Sequence, residues 1–168
     1  MKRWLKRGSL ALLALLVVIQ VIRPARTNPP VDPKQEIQAV APVDPVVQKA
    51  LGRSCNDCHS NRTVWPWYSN VAPASWLVAR DVNEGRSELN FSEWGGYQVE
   101  KQHKLLGKIC EEAREGEMPV RQYLLAHPDA QLTSAERQAF CTWSRQLAQT
   151  LPGQAGQKGH EEHEEDDD

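Results

Sequence analysis

The sequence predicts an all-α protein: a small helical domain preceded by one membrane-crossing helix. Three observations carry this prediction. Apolar residues recur at spacings of three and four in several segments, which is the period of a helix with one buried face. Capping and stop residues bound those segments. No segment shows the strict alternation of apolar and polar residues that is typical of a half-buried strand.

The first helix is predicted over residues 1–22, as a signal anchor or transmembrane helix. Four basic residues lie within the first seven positions, and an apolar run extends from Ser9 to Ile22. No small-x-small cleavage pattern follows this run closely, and Ala39-Val40-Ala41 lies far downstream, so we favour an uncleaved anchor over a cleaved signal peptide. The expected location is the bacterial inner (cytoplasmic) membrane, with a single pass and the rest of the chain in the periplasm.

Residues 23–43 are predicted to form a proline-rich linker. Their five prolines oppose regular structure and favour an extended geometry, which would hold the domain away from the membrane. The domain is expected over residues 44–152. It begins with Asp44 as N-cap and Pro45 at the first position of a helix that leads towards a pair of cysteines.

Three further helices are predicted inside the domain. One covers residues 73–84, with Gly85 as its stop, and the longest covers residues 97–115 and also ends at a glycine. The last helix opens at the capping box Thr133-Ser-Ala-Glu136. Residues 153–168 are rich in glycine, glutamine and carboxylates, and they are predicted to be a disordered acidic tail.

The most specific motif of the chain is Cys55-Asn-Asp-Cys58-His59. C-x-x-C-H is the attachment signature of c-type haem, in which two thiols bind the porphyrin and the adjacent histidine ligates the iron. We therefore expect one covalently attached haem c on Cys55 and Cys58, with His59 as an axial ligand. A carbonyl near Pro66 or Pro73 is expected to accept from the other ring nitrogen of His59. The alternatives are a thioredoxin-like dithiol, which needs a βαβ context, and half of a zinc site, which needs a second close ligand pair.

Met118 is the first candidate for the second axial position of the iron. It is the only methionine besides Met1, and it lies in a turn directly after the longest predicted helix. A thioether ligand favours ferrous iron and raises the reduction potential. The weaker alternatives are His103, on an apolar helix face, and His127, in a turn. Ordinary core packing of the methionine is the remaining interpretation.

The chain contains six tryptophans, and the five that lie in the predicted domain are many for its small size. Large flat side chains suit the wall of a haem site, and Trp65, Trp67 and Trp94 are the candidates for that role. The alternative is a small aromatic core without a special function.

Cys110 and Cys141 are predicted to form a disulfide. Export carries them into an oxidising compartment, and each lies on a helix flanking the Met118 turn. The bridge would close a loop of about thirty residues and contribute roughly 3 kcal/mol in the chain-entropy model. Two buried free thiols are the alternative.

The order and spacing of these motifs resemble the bacterial haem-binding domain family, which is related to c-type cytochromes. The resemblance covers about residues 45–147 and rests on residues 55–68, Gly85-Arg86, 89–94, Gly116-Glu-Met-Pro119, Tyr123, His127-Pro128 and Trp143. It implies an exported, often membrane-anchored monohaem domain that binds haem through Cys55 and Cys58, with His59 proximal and Met118 the distal candidate. Some relatives carry a histidine where this chain has Asp81, so any role of that histidine is absent here.

The expected function is electron transfer rather than enzymatic catalysis. A haem with two protein ligands has no open position for a substrate, and the sequence has no evident nucleophile–base pair or phosphate-binding loop. The alternatives are a haem-based ligand or redox sensor and a haem-bearing subunit of a larger respiratory assembly. The charges of the domain nearly balance, so nucleic acid is not an expected partner. The expected partners are the membrane and an unidentified redox protein. If that protein is basic, the acidic residues 160–168 would attract it through long-range electrostatics.

Overall fold

The structure, a computed structural model, describes residues 2–153. Over that range the chain forms eight α-helices and four short 3-10 helices, with no β-strand, which confirms the all-α prediction. The α-helices are α1 (Lys2–Val18), α2 (Ile37–Val40), α3 (Pro45–Ser54), α4 (Asn56–His59), α5 (Ala74–Glu88), α6 (Val99–Glu115), α7 (Arg121–Ala126) and α8 (Ser134–Thr150). The 3-10 helices are Ile19–Val21, Trp67–Asn70, Phe91–Gly96 and Pro128–Ala130. The acidic tail predicted after Gly153 lies outside the described residues.

The N-terminal helix has the length and composition of a membrane span. Together α1 and the following 3-10 turn cover Lys2–Val21, 20 residues with a mean hydropathy of 1.6 and no buried residue. At about 1.5 Å per residue this length matches a hydrocarbon core of about 30 Å. An export signal near the N-terminus has the same properties.

Residues 23–43 pack against the domain and do not form the extended spacer that we expected. Ile37, the first residue of α2, is 0% exposed and belongs to the main hydrophobic core. The carbonyl of Pro42 accepts a 2.9 Å hydrogen bond from the indole of Trp143 in α8. The prolines limit regular structure in this segment, but they leave its carbonyls and its apolar side chains free to pack.

The core of the domain lies between α3, α6 and α8. The most extensive packing joins α6 to α8, and α3 packs against α8. Cys110 of α6 and Cys141 of α8 are joined by a disulfide, with their Cα atoms 4.4 Å apart. This bridge fixes α8 against α6, the helix that ends just before Met118. The helix that follows the Met118 turn is α7, so α8, contrary to the expectation, does not flank the turn.

The predicted helix boundaries agree with the structure at α3, α6 and α8. Asp44 caps α3 by accepting from the N–H of Val46 at 2.8 Å. Gly116 ends α6 with a φ of 77°, a left-handed conformation that favours glycine. Thr133 and Glu136 form the capping box of α8. The short helix α7 was not anticipated from the sequence.

Gly85 does not end α5, which continues to Glu88. The residue is buried, and a Cβ atom at this position would lie 2.7 Å from the carbonyl oxygen of Cys58. The expectation of a stop at Gly85 is therefore wrong. Glycine is required here because α5 passes directly against the backbone of α4.

Candidate functional site

The Cys55–His59 motif forms a single helical turn at the end of α3. The carbonyl of Cys55 accepts from the N–H groups of Cys58 and His59, at 3.2 and 2.9 Å. Both cysteines are half-buried and free of any disulfide. The turn therefore presents two free thiols and one imidazole at the edge of the same groove.

The ring of His59 is held by two backbone carbonyls. Its Nδ1 lies 2.9 Å from the oxygen of Gly85 and 3.1 Å from the oxygen of Leu89. A carbonyl can only accept, so Nδ1 carries the proton and Nε2 keeps a lone pair for a ligand. Burial lowers the pKa of His59 against the opposing effect of these two carbonyls, and this favours the neutral ring that binds metals. The acceptors expected near Pro66 or Pro73 are thus replaced by carbonyls of α5 and the residue that follows it.

Two connected cavities form the groove. They enclose about 820 and 870 Å³ of empty space, part of it open to solvent, and both are lined by Cys55, His59 and Met118. The first continues between apolar side chains of α3, α6 and α8, which include Leu51, Leu105 and Phe140. A concave site with apolar walls and a few polar side chains is typical of sites for organic cofactors.

Met118 lies on the groove because α6 ends just before it. The carbonyl of Glu112 accepts from the N–H groups of Gly116, Glu117 and Met118, at 3.1, 3.2 and 3.4 Å. This wraps the chain around the end of α6 and leaves the Met118 side chain lining both cavities, 36% exposed. A thioether and the unprotonated nitrogen of His59 thus share one groove.

The two histidine alternatives have other partners. His103 lies on α6 with its Nε2 3.3 Å from the carbonyl of Pro152, and it does not line the groove. His127 stacks on Tyr123, with ring centroids 4.3 Å apart, beside a neighbouring cavity. The structure therefore brings Met118, and neither of these histidines, to the groove that contains His59.

The surroundings of Cys55 and Cys58 do not favour a redox-active dithiol. Burial raises the pKa of Cys55 to about 12, with a smaller contribution from the neighbouring Cys58. Burial also raises the pKa of Cys58 to about 11, with Asp57 next in importance. Thiol-exchange enzymes instead need a lowered cysteine pKa. Over residues 2–153 there is also no cluster of three or more His, Cys, Asp or Glu side chains that could hold a metal ion, so these residues offer no complete zinc site.

A family model described as "Haem-binding domain" matches residues 14–146, well over half of the chain. The chain belongs to the haem-binding domain family. No curated protein and no solved structure matches the sequence significantly. The groove of this haem-binding domain fits such a group: it offers a nitrogen with a free lone pair, a soft thioether and an apolar slot.

The three tryptophans expected to form a haem wall lie elsewhere in the haem-binding domain. Trp94 is 1% exposed and packs against Tyr97 in the main core, with ring centroids 6.0 Å apart. Trp67 is 78% exposed, and the indole of Trp65 donates to Asn28 at 3.1 Å. None of them lines the two cavities of the groove, whose aromatic lining besides His59 consists of Phe91, Tyr123 and Phe140.

A buried polar network fixes the chain that follows His59. Asn90 donates to the side-chain oxygen of Asn61 at 2.8 Å, and the N–H of Asn61 donates to Ser92 at 3.0 Å. Arg86 donates to the carbonyl of Ser60 at 2.8 Å. Residues 55–68 and residues 85–94 of the haem-binding domain, which both carry the family resemblance, therefore contact each other. The spacing of the two segments in the sequence does not reveal this contact.

An aromatic cluster lies on the other side of Cys58. Tyr123 donates to Asp57 at 2.9 Å, and the hydroxyl of Tyr68 is hydrogen-bonded to Nε2 of His127 at 2.8 Å. Burial and then the Asp57 carboxylate raise the pKa of Tyr123 above its usual range, so its hydroxyl keeps its proton. The cluster ties α7 to the Cys55–His59 turn, and it gives Tyr68, Tyr123 and His127 a structural role that sequence analysis missed.

Proposed function

We propose that this haem-binding domain carries one haem c, attached through Cys55 and Cys58 and ligated by His59 and Met118, and that it transfers electrons. One observation carries the proposal. The unprotonated Nε2 of His59 and the thioether of Met118 belong to the same apolar groove, beside two free thiols. That combination supports covalent attachment together with axial ligation on two sides.

The chain's own residues would set the properties of the group. The bound haem would supply one-electron redox chemistry. The carbonyls of Gly85 and Leu89 orient His59 and strengthen it as a ligand. The apolar side chains of α3, α6 and α8 would shield one side of the group from water, and a thioether ligand raises the potential. With both axial positions filled, outer-sphere electron transfer is the chemistry that remains.

Extraction into acidified organic solvent tests the covalent attachment. The wild-type protein should retain its haem, whereas a Cys55→Ala/Cys58→Ala variant should release it, since only thioether bonds survive this treatment. A Cys110→Ala/Cys141→Ala variant, which loses two cysteines outside the groove, is the matched control and should retain haem. Free extraction from the wild type would show that covalent attachment is wrong.

A ligand sensor is the second candidate function. It is favoured by the 36% exposure of Met118 and by its position in a turn at the groove, from which a thioether can move aside. Carbon monoxide distinguishes the two functions. The ferrous spectrum of a carrier should be unchanged by the gas, whereas a sensor should give a new spectrum as the methionine is displaced.

The proposed location is the outer face of the bacterial inner membrane. The apolar helix Lys2–Val21 supports an anchor, and the basic residues before it favour a cytoplasmic N-terminus. An anchored protein should stay with membranes through an alkaline carbonate wash, and its domain should be digested by protease added to spheroplasts. A larger respiratory assembly would be detected by its co-purification from those membranes.

A further inference from the structure

Exposed apolar side chains cluster around the 3-10 turn Trp67–Asn70. We define the Trp67 face as Val64, Trp67, Val71 and Leu77, all of which are exposed. Trp67 is 78% exposed, and its ring packs edge-on against only one other aromatic ring, that of Tyr68. A large aromatic residue left open in this way commonly marks a contact surface.

The Trp67 face lies beside the C-terminal end of the apolar N-terminal helix. Gln20 forms two hydrogen bonds with Ala72: its amide donates to the carbonyl at 3.1 Å, and its side-chain oxygen accepts from the N–H at 2.9 Å. The indole of Trp76 donates to the carbonyl of Ile22 at 2.8 Å. Ala72 and Trp76 are the chain neighbours of Val71 and Leu77, so the face begins where the span ends.

Arg23 and Arg26 are the cations beside the Trp67 face that form no ion pair among the described residues. Arg62 is instead paired with Glu36 at 2.7 Å, and Arg80 with Asp81 at 3.2 Å. Arg23 and Arg26 follow the span, and the next acidic residue is Asp32. Arg26 donates to Ser69 and Asn70 in the turn itself, so a cation is fixed at this edge.

We infer that the Trp67 face rests in the interfacial layer of the same bilayer that the N-terminal helix crosses. The inference depends on the anchor in the proposed function. Tryptophan prefers the membrane interface, where its ring is in apolar surroundings and its N–H stays hydrated. Arginines near the surface are attracted to anionic headgroups. A rigid link between Gln20 and Ala72 holds the domain against the bilayer, where an extended spacer would hold it away.

Fluorine NMR of the full-length holoprotein in lipid nanodiscs tests this placement. The protein carries 5-fluorotryptophan, its haem is kept ferrous, and the Trp67 signal is assigned with a Trp67→Phe variant. Spectra are compared with a gadolinium chelate attached to lipid headgroups and with a free gadolinium chelate in the buffer. We expect the lipid-bound chelate to broaden the Trp67 signal several-fold more than that of Trp143, which is buried in α8.

A second comparison uses substitutions on the face. A Trp67→Gln/Val71→Gln variant should reduce the broadening of the neighbouring Trp65 and Trp76 signals. Val46→Gln, which changes an exposed valine on α3, is the matched control and should leave both signals unchanged. Both variants should retain the wild-type haem spectrum, because none of these positions lines the groove.

The outcomes that would overturn the inference differ from one another. A Trp67 signal broadened only by the free chelate would show a face open to water. Protection from both chelates would show that protein, such as a second copy of this chain, covers the face. Either result overturns this placement and leaves the anchor intact, whereas a protein that does not enter nanodiscs overturns the placement and the anchor together.

Discussion

His59 has two ring nitrogens with separate tasks. Nδ1 is committed to the carbonyls of Gly85 and Leu89, and Nε2 is the proposed ligand of the iron. Met118 has no comparable support, because only its backbone is held, by the carbonyl of Glu112. The two proposed ligands of the haem iron are therefore held differently. His59 is rigidly oriented, whereas the side chain of Met118 is not, so we expect coordination by Met118 to be the more sensitive to substitutions nearby.

Substituting Met118 tests the assignment at the residue scale. Met118→Ala should abolish the weak thioether-to-iron absorption of the ferric protein and lower the midpoint potential, because a soft ligand that favours ferrous iron is lost. Absorption spectra and a potentiometric titration measure the two effects. Leu125→Ala, which truncates an exposed side chain outside the groove, is the control and should leave both unchanged. A wild-type spectrum in Met118→Ala would move the assignment to another residue.

Sequence analysis identified the residues whose chemistry depends on contiguous spacing. Cys55, Cys58 and His59 form one motif because a single helical turn must present all three to one group. The aromatic lining is different, since Phe91 and Trp94 lie three residues apart in the same 3-10 helix, and only the first lines the groove. Which of them faces the cavity is decided by how this 3-10 helix packs against α2 and α4, and no local pattern records that choice.

At the scale of elements, the site depends on how closely α5 approaches α4. Because Gly85 has no side chain, the backbone of α5 can approach the backbone of Cys58 closely. Gly85 also supplies a carbonyl that accepts a hydrogen bond from His59. A glycine next to a predicted helix end reads as a stop in sequence analysis. A glycine needed for close packing has the same sequence signature, and only the distance between the two backbones distinguishes them.

Replacing Gly85 tests that close approach. Gly85→Ala should lower the free energy of unfolding by roughly 1 to 3 kcal/mol, as overpacking in a well-packed site does. It should also perturb the haem spectrum, because the displaced carbonyl orients His59. Gly107→Ala is the matched control within α6: a Cβ there meets nothing within 4 Å, and the change should stabilise the helix by about 0.5 to 1 kcal/mol. Urea unfolding followed by circular dichroism measures both, and equal stabilisation of the two variants would contradict the packing argument.

For the whole molecule, the N-terminal segment belongs to the folded unit. The prolines of residues 23–43 correctly indicated that no long helix forms there. They gave no information on whether the segment packs, because that depends on Ile37 finding a site between elements that lie far away in sequence. The all-α class was predictable from local periodicity, whereas the extent of the folded unit was not.

Two truncated chains test whether residues 23–43 belong to the folded unit or are a dispensable linker. A chain that starts at Arg23 behind a cleavable signal peptide should mature with haem and unfold at a urea concentration close to that of the full-length domain. A chain that starts at Asp44 loses a buried isoleucine, worth about 1.5 to 3 kcal/mol, and the hydrogen bond from Trp143 to Pro42, worth about 0.5 to 1.5 kcal/mol. Its unfolding midpoint and haem content should both fall. Identical midpoints for the two chains would mean that residues 23–43 are dispensable.

The bridge between Cys110 and Cys141 imposes an order on the maturation of this protein. Four cysteines allow three complete pairings, and every one of them consumes Cys55 and Cys58. On the proposed attachment, the fully oxidised chain is therefore a dead end that cannot accept haem by any pairing. The productive state is half oxidised, with one disulfide made and the C-x-x-C thiols still reduced. If the domain is exported as proposed, a reductant must therefore keep Cys55 and Cys58 reduced in the same compartment in which Cys110 and Cys141 are oxidised.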